Sequence, residues 1–180
     1  MMFFLSDTHA FHKRMLDIRP QYKEIFEMTQ SIADQINSVV GKKDTLVHAG
    51  DWSFGSVDQA VEFRKMIHCK DIWLAKGNHD QRFAKNKKFR ELFSRVEDVY
   101  MIHRDEVSVC VFHYPIESWP AKRYGTLHVH GHCHAALTPM KNRYNACVDV
   151  NGYVPISLPS LANKLKEENH ESASVPDPDV

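Results

Sequence analysis

"DIWLAKGNHD", Asp71 to Asp80, runs from a short apolar segment into a carboxamide, an imidazole and a carboxylate. An apolar run of this length stopped by Gly77 reads as a buried strand, which leaves Asn78, His79 and Asp80 at its carboxyl end. Two earlier stretches have the same form. "MFFLSD" ends an apolar strand at Ser6 and Asp7, and "TLVHAGD" ends another at Gly50 and Asp51. Between them, "QYKEIFEMTQSIADQINSVVG" carries Ile25, Met28, Ile32, Ile36 and Val39 at helical spacing, and Gly41 is the predicted residue just past the helix end. "SVDQAVEFRKMIH" offers Ser56 and Gln59 as a capping box, with Ala60, Phe63 and Ile67 on one face. Strand, helix, strand, helix, strand is the grammar of a parallel α/β sheet.

The second half changes character. "VYMIH" and "VSVCVFH", joined through Arg104 and Asp105, predict an antiparallel hairpin, and "GTLHVHGHCH", "YNACVDV" and "VPISL" supply further strands. A second sheet or a mixed extension follows. Ser157 is the predicted cap of a last helix, "LPSLANKLKEE", with Pro159 tolerated in its first turn. Residues 1–168 are expected to form one domain, and the polar, proline-containing tail 169–180 to be disordered.

Composition sets outer limits. With 180 residues, 43% of them hydrophobic, the chain fits one domain with a sizeable core. Its formal net charge of zero provides no global field to recruit nucleic acid or anionic membrane. The apolar start, Met1 to Leu5, is too short for a signal-peptide core, and no stretch approaches the roughly 18 apolar residues of a membrane span. Cys69, Cys110, Cys133 and Cys147 form no C-x-x-C pair, so neither a disulfide framework nor a cysteine zinc site is indicated and a cytoplasmic setting is expected.

The twelve histidines are the unusual feature. In open α/β sheets ligands gather outside the carboxyl ends of parallel strands. Three such ends deliver Asp7, His9, Asp51, Asn78 and His79 to one edge. Asp7 and His9 are two apart, so in extended backbone they point the same way. His132 and His134 repeat that spacing in "GHCH", and His113 ends a fourth apolar strand in "FHYP". Oxygen and imidazole ligands in this mixture suit a divalent transition metal better than calcium. The seven candidates, Asp7, His9, Asp51, Asn78, His113, His132 and His134, are too many for one four-coordinate ion but suit two ions sharing a carboxylate. Two-metal sites specialise in in-line displacement at phosphorus.

In their order, "DTH", "GD", "GNHD", a lone histidine and "GHCH" resemble the calcineurin-like metallophosphoesterase superfamily, in particular its short single-domain members. The resemblance spans Asp7 to His134 and implies a four-layer α/β/β/α sandwich with two mixed sheets. It implies that Asp7, His9 and His134 hold one metal, that Asn78, His113 and His132 hold the other, and that Asp51 bridges both. His79 would be the general acid beside the phosphate, with Asp80 orienting its imidazole. Two divalent ions are implied, manganese first, with iron, zinc, nickel or cobalt as alternatives.

Neighbouring residues carry plainer readings. Cys133 should point away from His132 and His134 and pack, while His128 and His130 are read as core or as support for the ligands, Gly131 permitting a change of direction after them. His12 and Arg14 are divided between loop decoration and substrate contact. Trp52, Phe54, Tyr114, Trp119 and Tyr124 could stack a nucleobase or cover the core. "RFAKNKKFR", with five basic residues, reads first as a solvated helix face and second as a cradle for further phosphates. The expected activity is hydrolysis of small phosphomonoesters or phosphodiesters, nucleotides among them, by a hydroxide held between the two metals. A nuclease acting on single strands is the alternative, a protein phosphatase is less favoured, and a non-catalytic scaffold is disfavoured because all the motif positions are filled. Oligomeric state is not legible.

Overall fold

The computed structural model describes residues 1–135, 137, 138 and 140–172, the last five as helix backbone only. One sheet holds β1 (Met2–Leu5), β2 (Thr45–His48), β3 (Asp71–Ala75) and β4 (Arg95–Glu97), all parallel in the order β4-β3-β2-β1. The other holds β5 (Val99–Arg104), β6 (Val107–Phe112), β7 (Leu127–His130) and β8 (Arg143–Asn145), with β5 antiparallel to β6 and the rest parallel. β9 (Ile156–Ser157) returns to pair antiparallel with β1, so both sheets are mixed. The β5–β6 turn is Asp105 and Glu106, both left-handed (φ 51° and 63°), one residue later than expected.

Alternation along the strands makes two cores. Phe3, Leu5, Leu46, Ile72 and Leu74 face outward, where they are buried by α2 (Ile25–Val39) and α3 (Val57–Met66) through Met28, Ile32, Ile36, Ala60 and Phe63. Met2, Phe4, Val47 and Ala75 face the second sheet, meeting Tyr100, Ile102, Val109, Val111, Leu127 and Val129. Truncating Phe4 to alanine there is expected to cost about 3–5 kcal/mol. The Ser56–Gln59 capping box of α3 forms as predicted. α2 instead stops at an extended Val40, and the Gly41 N–H turns to Asp44, so Gly41 supplies no left-handed cap.

Leu158, Leu161, Ala162 and Leu165 of the last helix (Leu158–Ser172) join the inter-sheet core, and Ser157 Oγ accepts from the Ser160 N–H as its cap. That helix runs through Ser172, past the predicted limit at Glu168, and the rest of the predicted tail, 173–180, lies outside the described residues. Outside the second sheet the 114–126 segment lies over His128, whose ring is 5.0 Å from Trp119. Two short helices, α1 (Met15–Ile18) and α4 (Lys87–Arg90), and strand β4 were not legible in the sequence. Among the described residues no helix is long and apolar enough to cross a membrane.

Candidate metal centre

The parallel register sets the carboxyl ends of β1, β2 and β3 side by side, and the loops there are held in unusual backbone. Asp7 (φ 59°), His9 (φ 46°), Asp51 (φ 60°) and His132 (φ 69°) are all left-handed. Asp7 and His9 therefore share a direction through a strained loop, not through the extended backbone expected from their spacing. Such strain costs on the order of 1–3 kcal/mol per residue and persists only where the surroundings over-determine it. They do here: the Asp7 N–H donates to Gly50 O (2.9 Å), the His9 N–H to Asp51 O (3.0 Å), and Thr8 Oγ1 to Trp52 O (2.6 Å). Close approach explains two glycines. A Cβ on Gly77 would sit 2.1 Å from Asp51 Oδ1, and one on Gly131 2.2 Å from Asp7 Oδ2. Gly131 thus matters for room and not for a change of direction.

All seven predicted ligands converge. His9 Nε2 lies 3.1 Å from His134 Nε2, 3.8 Å from Asp7 Oδ1 and 3.5 Å from Asp51 Oδ2. His113 Nε2 lies 3.0 Å from Asn78 Oδ1 and 3.4 Å from Asp51 Oδ2, and His132 Nδ1 is 3.0 Å from the same Asn78 oxygen. The outer nitrogens decide what these atoms are. His113 Nδ1 faces the Ala49 carbonyl at 2.8 Å and His134 Nδ1 faces Asp149 Oδ2 at 2.7 Å, so both carry the proton there in the neutral ring. Their Nε2 lone pairs then point into the cluster, at other lone pairs. Such a convergence of acceptor atoms is suited to hold cations, and imidazole nitrogen held by an outer carbonyl or carboxylate is the usual form of a metal ligand.

Asp51 links the two groups through one atom. Its Oδ1 accepts from the His79 N–H (2.9 Å), while Oδ2 faces His9, His113 and, at 3.9 Å, His79. Asp7 accepts from the His132 N–H with both oxygens (3.0 and 3.1 Å). Burial pushes both carboxyls up, but the histidines around them win: Asp7 is held below its ordinary range and Asp51 falls to about 2. The same attraction outweighs burial at His113 and raises its pKa, while the Asp149 hydrogen bond raises that of His134.

Of the two predicted catalytic roles, that of Asp80 meets different geometry. His79 is one-third exposed at the mouth, its pKa lowered by burial and by neighbouring cationic groups against the pull of Asp51. Asp80 does not orient that imidazole. It is fully buried, and its oxygens accept from the Asp51 N–H (2.7 Å), Gly77 N–H (2.9 Å) and Trp52 N–H (3.1 Å). Asp80 ties the "GD" loop to the "GNHD" loop, and burial together with nearby Asp51 pushes its carboxyl up to about 7.

Sequence reasoning missed Arg19 and Asp149. Arg19, 1% exposed, donates Nη2 to Asp7 O (2.8 Å), Nη1 to Thr8 O (2.9 Å) and both Nε and Nη2 to Asp149 (2.6 and 2.9 Å). Asp149 in turn holds His134, so one buried ion pair braces the strained "DTH" loop and a candidate ligand histidine together. "CVDV" at the end of a predicted strand was the available signal.

The plainer readings also find their places. His128 and His130 are buried on the outer side of β7 and bond to Cys110 O and Gly131 O; Cys133 lies between residues that are not extended, its carbonyl accepting from Asn145. Trp52 and Trp119 are core, whereas Phe54 and Tyr114 stand at the mouth beside His79 and His132 (5.2 and 4.8 Å between rings). In the basic run, Lys88 pairs with Asp58 and Lys87 with Glu91.

The family model of the calcineurin-like phosphoesterase superfamily domain matches residues 1–152. The chain belongs to this superfamily. All nine predicted site residues fall within the matched span. A "Gene 66 protein" of Mycobacterium phage L5 is 27% identical over 160 residues, covering 74% of this phosphoesterase-family chain and 77% of its own. Among solved structures, a protein of unknown function from Aquifex aeolicus superimposes with a TM-score of 0.70 at 25% identity, covering 91% and 98% of the two chains. A novel archaeal phosphodiesterase is more distant, with a TM-score of 0.49 at 19% identity over 81% of each chain.

Proposed function

We propose that the chain is a metal-dependent phosphohydrolase that acts on small phosphomonoesters or phosphodiesters, nucleotides among them, at a site for two divalent ions. Asp7, His9 and His134 would hold one ion, Asn78, His113 and His132 the other, and Asp51 both, with manganese the first candidate. The observation that supports this reading is Asp51 Oδ2, a single buried oxygen facing the lone-pair nitrogens of both groups. When bound, such a pair of ions neutralises phosphoryl oxygens and supplies a nucleophile from water at neutral pH.

The chain's own residues do the rest. Arg19, Asp149 and the Ala49 carbonyl keep the ligand nitrogens aimed inward. His79, at the mouth and adjacent to Asn78, donates a proton to the leaving oxygen. The bond from phosphorus to that oxygen breaks as water's oxygen bonds to phosphorus, so an alcohol and a phosphate leave. The strained loops need no rearrangement for this, because the ligand atoms already lie together.

The test is turnover of a panel of nucleotides, cyclic nucleotides, sugar phosphates, aryl phosphates and single-stranded DNA by manganese-loaded protein. Zero net charge and the pairing of Lys87 and Lys88 with acids favour the small substrates. Much faster degradation of DNA, with a steep salt dependence lost on neutralising Lys85, Lys87 and Lys88, would replace this reading with the nuclease.

A further inference from the structure

One basic residue of the "RFAKNKKFR" run is placed unlike its neighbours. Lys87 and Lys88 are paired with carboxylates, and Arg90 donates to Ala84 O. Arg82 has no hydrogen bond or ion pair among the described residues. Its guanidinium lies over two aromatic rings instead, 4.1 Å from the centre of Phe54 and 4.4 Å from that of Phe83. Two rings restrict the side chain while leaving its five N–H donors uncommitted, which is the arrangement that favours a planar, bidentate anion contact.

The position gives this a direction. Phe54 stacks on His12 (3.9 Å, 14° between planes) and meets His79 edge-on (5.2 Å). His79 meets His9 edge-on at 5.1 Å. Arg82 therefore shares the Phe54 ring with His12 and His79, on the His79 side of the mouth. Tyr114, the other aromatic residue at the mouth, meets His132 instead (4.8 Å). A substrate whose leaving oxygen is protonated by His79 directs its leaving group towards Arg82.

We propose that Arg82 is a specificity-determining residue, and that the substrate is a phosphate ester whose leaving group carries a second phosphate. This rests on the hydrolase reading above for the direction of the leaving group. The second phosphate could belong to a small bisphosphate or to the next nucleotide of a strand, and the experiment separates them.

Manganese-loaded wild-type, Arg82→Gln and Arg82→Lys proteins would be compared on propane-1,3-diol monophosphate, its bisphosphate, thymidine monophosphate and the 5′-phosphorylated thymidine dinucleotide, which carries two phosphates. Both binding, by competition with a fluorescent phosphate ester, and turnover would be read. The wild type should prefer the bisphosphate over the monophosphate by about 10- to 100-fold in binding and in kcat/KM, the size of one charged hydrogen-bonded contact. Arg82→Gln should lose most of that preference while handling the monophosphate within about twofold, and Arg82→Lys should recover part of it. A gain confined to the dinucleotide would assign the second phosphate to a polymer. Equal losses on mono- and bisphosphate, or no wild-type preference in binding, would overturn the proposal. Binding preference without turnover of any ester would instead overturn the hydrolase reading and leave the anion site standing.

Discussion

His79 hydrogen-bonds Asp51 through its backbone N–H, and its one-third-exposed ring makes no hydrogen bond among the described residues, Nε2 lying 3.9 Å from Asp51 Oδ2. That freedom suits a group that gives a proton to a leaving oxygen, a service typically worth about 10²–10⁴-fold. A nitrophenolate leaves readily without it and an alkoxide does not. His79→Ala should thus keep its metals and much of its activity on nitrophenyl esters while losing far more on alkyl esters. A plot of log rate against leaving-group pKa should steepen; parallel lines with metals intact would withdraw the general-acid role. Asp149 acts one step further out. Asp149→Asn keeps an oxygen for His134 but leaves Arg19 buried without its counter-charge. Manganese affinity, followed by calorimetry, should fall about 10- to 100-fold, and the metal-free protein should melt earlier. The residues that cluster here were readable from the sequence as candidate ligands because metal chemistry restricts them to few residue types. Asp80 and Asp149 were misread or missed because a carboxylate that bonds backbone N–H groups or a distant arginine leaves no local pattern.

At the scale of elements, the loops after β1 to β3 carry Asp7, His9, Asp51 and Asn78 and those after β6 and β7 carry His113, His132 and His134; the first three strands were legible because each is a short apolar run ended by glycine or a polar turn. The loop conformations were not, since left-handed Asp7 and His9 depend on Arg19 and Gly50 contacts from elsewhere in the fold. His48, the last residue of β2, gives this layer a testable pH signature. Nδ1 accepts from the Gly50 N–H (3.2 Å) and Nε2 donates to Thr8 Oγ1 (3.0 Å), which fixes a neutral ring. Full burial pushes its pKa down to about 3, from an ordinary value of 6.5. A depressed pKa means that the unfolded chain takes up the proton first. His48 therefore contributes its stability fully above about pH 6.5 and loses it as pH falls towards 3. Metal-free His48→Gln should show a shallower acid limb, the difference from wild type changing by up to about 1.4 kcal/mol per pH unit in that window. Identical slopes in urea titrations from pH 7 to 4 would show that His48 is not held neutral.

For the whole molecule, a charge-neutral chain gathers its buried aspartates, Asp7, Asp51 and Asp80 among the described residues, in one strained corner where two mixed sheets meet. The sandwich was legible as an α/β first half and a hairpin-bearing second half, whereas the placing of the last helix on the inter-sheet core was not, because its apolar residues at helical spacing fit any apolar surface. The central claim is that Asp51 joins two metal sites into one. It is tested most directly by elemental analysis of metal-stripped protein reloaded with manganese and freed of excess, wild type beside Asp51→Asn, with turnover measured on the same samples. The wild type should approach two equivalents, and Asp51→Asn should hold no more than about one and be nearly inactive, since it loses the charge that both ions share. A wild-type plateau at one equivalent, with Asp51→Asn unchanged in stoichiometry and activity, would contradict the account.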